Sequence, residues 1–76
     1  MLDLYILETC PYCKKVMRFL EDNKVDYNKI DIADKSAEDV LIRVGGKRQV
    51  PFIVDKDRNM QMYESDDIIE YIKTII

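Results

Sequence analysis

The segment LDLYILETCPYCKKVMRFL, residues 2–20, joins an apolar run to an amphipathic run through a pair of cysteines. Its first part, residues 2–7, is apolar except at Asp3, which is typical of a strand covered on both faces. Pro11 is favoured in the first turn of a helix. Apolar residues then recur three and four positions apart, as on a buried helix face: Cys13, Val16, Met17 and Leu20. The segment therefore predicts a strand, a short loop and a helix that ends near Asn23.

A second strand and a second helix follow. Residues 25–32 predict the strand, and their apolar residues change parity along it, which indicates a bulge or a bend. Ser36 followed by Asp39 indicates a helix start, and Gly45-Gly46 indicates its end. The buried face of this helix is predicted to contain Ala37, Val40, Leu41 and Val44.

The last part of the chain predicts a hairpin and a third helix. Residues 51–55 and 60–63 form the predicted strands, joined by a polar turn over residues 55–59. Ser65 is the predicted cap of the helix, and acidic residues in its first turn are favourable there. Five isoleucines of this helix are predicted to face inward: Ile68, Ile69, Ile72, Ile75 and Ile76.

The order of these elements is β-α-β-α-β-β-α. A β-α-β start requires a parallel pair of strands joined by a right-handed crossover, and a closing hairpin requires an antiparallel pair. A four-stranded mixed sheet flanked by three helices meets both requirements. We therefore expect one α/β domain over residues 1–76.

The 76 residues carry a net charge of −3, from 12 basic and 15 acidic side chains. This balance provides no overall positive field to hold nucleic acid or an anionic membrane. No apolar run is long enough to span a bilayer, and the amino terminus lacks the features of a signal peptide. We therefore expect a cytoplasmic protein without nucleic-acid or membrane partners.

Two residues separate the only cysteines, Cys10 and Cys13. So short a loop is a weak structural staple, and a chain without histidine cannot supply the four ligands of a structural zinc site by itself. Three interpretations of the two cysteines remain: redox chemistry, a metal shared between two chains, or a role as small apolar residues that fill space in the core. A place between a strand and a helix favours redox chemistry.

The two cysteines have different predicted environments. Cys10 lies at the helix start, where unpaired N–H groups and the helix dipole favour a thiolate. Cys13 belongs to the buried stripe of the helix and is less exposed. We therefore expect Cys10 to attack a disulfide and Cys13 to resolve the resulting mixed disulfide.

Three separated motifs resemble glutaredoxins. Cys10-Pro11-Tyr12-Cys13 resembles the glutaredoxin active site, and Val50-Pro51 resembles the family's Val-Pro pair, whose proline is cis. Residues 63–68, YESDDI, resemble the glutathione-binding pattern in the amino-terminal domain of glutathione S-transferases, and residues 46–51 also fit that branch. The resemblance spans essentially the whole chain and implies a thioredoxin fold.

The resemblance also implies a glutathione site. Val50, next to Pro51, would present its backbone to the cysteinyl unit of glutathione. The N–H groups of Ser65 and Asp66 would bind the γ-glutamyl carboxylate, as a helix N-terminus binds anions. Glu64 or Asp66 would pair with the γ-glutamyl amine.

Further contacts are implied at the other end of the ligand. Tyr12 would lie along glutathione, and Lys47 or Arg48 would meet its glycyl carboxylate. Many glutaredoxins carry a lysine two residues before the first cysteine, where this chain has Glu8. That departure removes one expected partner of the glycyl carboxylate and places a negative charge near Cys10.

By resemblance, the expected reaction is the glutathione-dependent reduction of disulfides and of protein–glutathione mixed disulfides. Glutathione is the expected cosubstrate of a monomeric enzyme that needs no metal and no tightly bound cofactor. One alternative is an electron carrier that serves a reductase partner and is recharged by thioredoxin reductase. Another is a non-enzymatic module that holds an iron–sulfur cluster between two chains through Cys10 and glutathione, an arrangement that Pro11 is expected to disfavour.

Overall fold

A computed structural model describes residues 1–76 as seven elements in the predicted order. The strands are β1 (Leu2–Ile6), β2 (Tyr27–Asp31), β3 (Phe52–Asp55) and β4 (Met60–Tyr63). The helices are α1 (Pro11–Asp22), α2 (Lys35–Gly45) and α3 (Ser65–Lys73). None of the three helices has the length and hydropathy that crossing a membrane requires.

The four strands form one sheet in the order β2-β1-β3-β4. β1 pairs with β2 in parallel, because α1 carries the chain back between them, and with β3 in antiparallel. β3 and β4 form the closing antiparallel hairpin. The predicted mixed sheet with three helices is confirmed.

The side chains of β1 alternate between the two faces of the sheet. Leu2, Leu4 and Ile6 pack in one buried cluster with residues of α1 and α3, whereas Tyr5 packs in another with Leu41 of α2. The helix residues buried in the first cluster are Cys13, Val16, Leu20, Ile68 and Ile72. Three of the four residues of the predicted stripe of α1, Cys13 among them, are therefore buried, and the fourth, Met17, is partly buried.

β2 is shorter than predicted and contains no bulge. Its five residues pair with Leu2–Ile6 in an unbroken parallel register. Val25 lies in the connection after α1, where its N–H donates to the Leu20 carbonyl at 2.9 Å and Lys24 has a left-handed φ of 56°. Val25 reaches the core from this turn rather than from the strand, which explains the change of parity in the sequence.

Two helices begin differently from the prediction. Asp34, and not Ser36, is the N-cap of α2, because its Oδ1 accepts the Ser36 N–H at 3.0 Å and the Ser36 hydroxyl at 2.9 Å. Ser65 is the first residue of α3 rather than its cap, since Glu64 occupies the N-cap position without a side-chain hydrogen bond. In both cases the helix begins one residue after an acidic residue.

The buried faces of α2 and α3 are narrower than predicted. Val44 is 40% exposed and Ile76 is 59% exposed. Val44 lies in the last turn of α2, and Ile76 lies beyond the end of α3. The hydrophobic pattern therefore overestimates the buried face near the end of each helix.

A buried carboxylate ties the hairpin to α3. Asp55, the last residue of β3, is 1% exposed, and its Oδ2 accepts hydrogen bonds from the Tyr71 hydroxyl at 2.7 Å and from Arg58 at 3.2 Å. Burial alone would raise the pKa of Asp55, but these partners outweigh it and hold the pKa below its usual value. The ionised form is therefore stabilised in the folded protein.

We expect Tyr71→Phe to lower the free energy of unfolding by about 1–3 kcal/mol at pH 7, because it removes a hydrogen bond to a buried charge. A carboxylate with a depressed pKa contributes stability above its unfolded pKa of about 3.9 and loses it as the pH falls through the folded pKa. Denaturant unfolding at pH 7 and pH 3 should therefore show a smaller difference from wild type in acid.

Tyr27→Phe, which removes an exposed hydrogen bond to Glu21, is the control and should change the free energy of unfolding by less than about 0.5 kcal/mol. Equal losses in both variants would contradict the prediction.

Candidate functional site

The two cysteines lie at the junction between β1 and α1. Cys10 is the N-cap of α1 with an extended backbone, φ −79° and ψ 118°, and Pro11 opens the helix. Cys10 is half-buried and Cys13 is fully buried, and both are free thiols. The two sulfurs therefore differ in access although the residues lie only three positions apart.

The backbone around Cys10 favours a negative charge. The Cys10 carbonyl accepts the N–H of Lys14 at 3.1 Å. The N–H groups of Tyr12 and Cys13 lie in the first turn and have no partner within the helix. Positive ends of peptide dipoles thus gather at the residue that was predicted to attack.

Cys13 is held as a thiol. Burial raises the pKa of Cys13 to about 12. A hydrogen bond from the Leu7 backbone opposes the rise, whereas a hydrogen bond with Cys10 adds to it. The S–H group of protonated Cys13 can donate a hydrogen bond to a neighbouring acceptor. It is therefore suited to stabilise a thiolate at Cys10.

The carboxylate of Glu8, two residues before Cys10 in the chain, is part of an ion pair. It pairs with the Lys29 ammonium at 2.9 Å, across the parallel strands. This exposed pair offsets part of the repulsion that Glu8 was expected to exert on a thiolate at Cys10.

A cavity of about 440 Å³ adjoins the start of α1. Seven residues line it: Tyr12, Gln49, Val50, Pro51, Glu64, Ser65 and Asp66. Six of these were predicted to bind glutathione, and they come from three separated motifs. The Val50–Pro51 peptide bond is cis, as the resemblance implied.

The start of α3 forms one wall of the cavity. Glu64 has a left-handed φ of 74°, and Ser65 is buried as the first helical residue. The first N–H groups of α3 have no partner within the helix, so they are available to an anion. Asp66 adds a carboxylate that is paired with the Lys15 ammonium of α1 at 2.5 Å.

Gln49 was missed by the sequence analysis. Its Nε2 donates to Oε1 of Glu64 at 2.9 Å, and both side chains line the cavity. Its place directly before Val50-Pro51 was the only sequence signal for this role. The bond joins the loop before β3 to the residue before α3, and so orients one carboxylate of the cavity.

Lys47 and Arg48 do not line the cavity. The Lys47 ammonium lies 4.8 Å from the centre of the Tyr63 ring. The Arg48 guanidinium pairs with Glu38 of α2 and holds the pKa of that carboxyl below its usual value. A contact between either cation and glutathione stays a prediction.

No group of three or more histidine, cysteine, aspartate or glutamate residues is arranged to hold a metal ion. The donors near the cavity are carboxylates, an amide, a hydroxyl and unpaired backbone N–H groups. Such groups suit the ammonium and the carboxylate of an amino acid.

Three comparisons place the chain among known proteins. Glutaredoxin 1 of Rickettsia prowazekii is 32% identical over 74 residues, which cover 92% of this chain and 75% of that protein. Prostaglandin E synthase 2 of Mus musculus is 31% identical over 77 residues, 99% of this chain but only 20% of the synthase. The structure of glutathione transferase Omega 3C from Trametes versicolor superimposes with a TM-score of 0.85 at 27% identity, over 97% of this chain and 33% of that one.

The Glutaredoxin family model matches residues 2–59, which include both cysteines and the cis proline. The sheet order and the three helices are those of the thioredoxin fold. The chain therefore belongs to the glutaredoxin family of thiol–disulfide oxidoreductases.

Proposed function

We propose that this chain is a glutathione-dependent oxidoreductase that reduces disulfides and protein–glutathione mixed disulfides through Cys10. One observation carries the proposal: half-buried Cys10 begins the helix whose residue Tyr12 lines a cavity, and the polar lining of that cavity suits an amino-acid group. Glutaredoxin and glutathione transferase relatives support the same ligand.

The first step transfers glutathione to the enzyme. The Cys10 thiolate attacks the glutathionyl sulfur of a mixed disulfide, and a new bond forms between Cys10 and that sulfur. The old disulfide bond breaks, and the substrate sulfur leaves as a thiolate that takes a proton from water. Unpaired N–H groups at the start of α1 stabilise the Cys10 thiolate before the attack.

Two routes resolve the enzyme–glutathione disulfide. A second glutathione thiolate can attack the glutathionyl sulfur, which releases glutathione disulfide and returns the Cys10 thiolate. Cys13 can instead lose its proton and attack the Cys10 sulfur, which releases glutathione and leaves an internal disulfide. Because burial raises the pKa of Cys13 to about 12, we propose that the second glutathione is the faster route.

The cavity positions glutathione for both steps. The backbone of Val50 pairs with the cysteinyl unit beside Cys10. The N–H groups of Ser65 and Asp66 hold the γ-glutamyl carboxylate, while the Glu64 carboxylate holds the ammonium. Gln49 keeps Glu64 in place through its 2.9 Å hydrogen bond.

Re-reduction of the oxidised protein tests the proposal. We expect glutathione at millimolar concentration to restore both thiols and to support turnover of a glutathionylated peptide. Thioredoxin with its reductase, or the reductase alone, is the comparison reductant and should act far more slowly. Turnover with thioredoxin reductase but not with glutathione would refute the proposal in favour of the carrier function.

A further inference from the structure

The loop between α2 and β3 carries two residues of the cavity lining, Gln49 and Val50. Within this loop, one backbone hydrogen bond is formed, from the Gln49 N–H to the Lys47 carbonyl at 3.2 Å. That length is at the long end of the usual range for an N–H···O bond. The positions of Gln49 and Val50 therefore depend on contacts from outside the loop.

Tyr63, the last residue of β4, provides such a contact. Its hydroxyl donates to the Lys47 carbonyl at 2.8 Å, so this carbonyl accepts two hydrogen bonds. The Tyr63 ring packs against the buried ring of Phe52, with 4.4 Å between the ring centres. The phenol is therefore held by β3 through its ring and holds the loop through its hydroxyl.

Gly45, the last residue of α2, leaves the space that this phenol occupies. A Cβ atom at position 45 would lie 2.8 Å from Cζ of Tyr63 and 3.2 Å from the Phe52 ring. The first distance is well inside van der Waals contact, and close-packed neighbours leave little room for the ring to move. The fit of the phenol therefore depends on a residue without a side chain.

The contact of Tyr63 with the loop closes a circuit of bonded residues beside the cavity. Tyr63 is followed directly by Glu64, whose Oε1 accepts the hydrogen bond from the Gln49 side chain at 2.9 Å. The Gln49 N–H in turn donates to the Lys47 carbonyl, which accepts the Tyr63 hydroxyl. Loss of that hydroxyl would open the circuit at its only bond from β4 to the loop backbone.

We infer that Tyr63 is a positioning residue of the glutathione site, because its hydroxyl fixes the loop before β3. The fixed loop allows Gln49 to orient Glu64 and allows the Val50 backbone to face the ligand. Tyr63 does not line the cavity itself, so it acts through these residues and not by contact with glutathione. This inference rests on the proposed function, because it concerns the ligand of the same cavity.

Single-turnover reactions with two peptides test the inference. The reduced protein is mixed with excess peptide whose cysteine carries either glutathione or 2-mercaptoethanol in a disulfide. The Cys10 thiolate attacks that disulfide, a new disulfide forms on Cys10, and the leaving thiolate takes a proton from water, so the released thiol is measured. With the glutathionylated peptide, the concentration dependence separates the half-saturation concentration from the limiting rate. The other peptide reports the reactivity of Cys10 without a γ-glutamyl group.

Tyr63→Phe keeps the ring and removes only the hydroxyl. We expect the half-saturation concentration of the glutathionylated peptide to rise about three- to tenfold, as for the loss of one hydrogen bond. The limiting rate, and the rate with the 2-mercaptoethanol peptide, should each change by less than about twofold, because binding and not chemistry is affected. An unchanged half-saturation concentration, or equal slowing with both peptides, would overturn the inference.

A double variant tests the route of the effect. Gln49→Met removes the amide that donates to Glu64 and keeps the length of the side chain. Because the two residues belong to one circuit, Tyr63→Phe should raise the half-saturation concentration by a smaller factor in Gln49→Met than in the wild-type protein. Equal factors in the two backgrounds would contradict the inference.

Tyr71→Phe is the matched control for a loss of stability. It also removes one phenol hydroxyl, but that hydroxyl bonds to Asp55, and neither residue lines the cavity. Both peptides should react with this variant as with the wild-type protein. A rise in half-saturation concentration equal to that of Tyr63→Phe would assign the effect to stability and overturn the inference. In the wild-type protein, transfer from the glutathionylated peptide that is no faster than from the other peptide would instead refute the proposed function.

Discussion

Cys10→Ser should reduce glutathionylated peptides no faster than the uncatalysed reaction, whereas Cys13→Ser should retain the activity. Only Cys10 combines access to solvent with a place at the start of α1. A serine hydroxyl in its place neither ionises near neutral pH nor forms a disulfide, so the first covalent step is lost. In Cys13→Ser, a second glutathione still resolves the mixed disulfide.

The Cys13 variant needs a control for folding. Cys13 is fully buried, and a serine hydroxyl without a partner there destabilises a protein by about 1–3 kcal/mol. Cys13→Ala avoids this loss and should behave like Cys13→Ser in the assay. Denaturant unfolding of all three variants shows whether each is folded when its activity is measured. Activity that survives in Cys10→Ser but not in the Cys13 variants would reverse the assignment of the two sulfurs.

Local patterns in the sequence were sufficient to predict the positions of the two cysteines, because that part of the site is formed by one strand and the helix that follows it. Cys10 and Cys13 follow a strand and open a helix, and the spacing of Val16 and Leu20 defines which face of that helix is buried. These relations extend over a few residues, so they can be read before any tertiary contact is known. The buried Cys13 and the half-buried Cys10 follow from this pattern alone.

The contacts that the sequence did not predict join residues that are distant along the chain. Arg48 pairs with Glu38 ten residues earlier, and Gln49 bonds to Glu64 fifteen residues later. Neither spacing corresponds to one face of a helix or strand, so no periodic pattern connects these residues. From composition alone, Arg48 would be a free cation in a loop. The groups that surround it are known only once α2 and α3 are packed in the folded protein.

The choice between competing caps also depended on backbone geometry. Asp34 and Ser36 are both favourable helix caps, and the sequence favours neither strongly. The extended backbone of Asp34, with ψ 119°, directs its carboxylate to the Ser36 N–H and makes Ser36 part of the helix. Such choices are decided by one backbone angle, which the residue types do not determine.

We expect iodoacetamide at pH 7 to modify Cys10 at least about 10³-fold faster than Cys13 in the folded protein. A thiol whose pKa is about 12 is ionised at pH 7 to about one part in 10⁵, compared with roughly one part in 30 for an ordinary cysteine. Since the thiolate is the reactive species, this difference alone slows Cys13 by about three orders of magnitude. Full burial of the sulfur slows it further.

Mass spectrometry of peptides after timed quenching measures both rates in one sample. Unfolding in denaturant is the control, because it removes burial and the helix start together, and the two cysteines should then react at similar rates. The Cys10→Ser protein provides a second comparison. There Cys13 loses its sulfur hydrogen bond but stays buried, so its modification should remain slow, because burial is the largest cause of its raised pKa. Rapid modification of Cys13 in the folded wild-type protein would show that it ionises freely. The assignment of Cys10 as the attacking thiol and Cys13 as the resolving thiol would then have no physical basis.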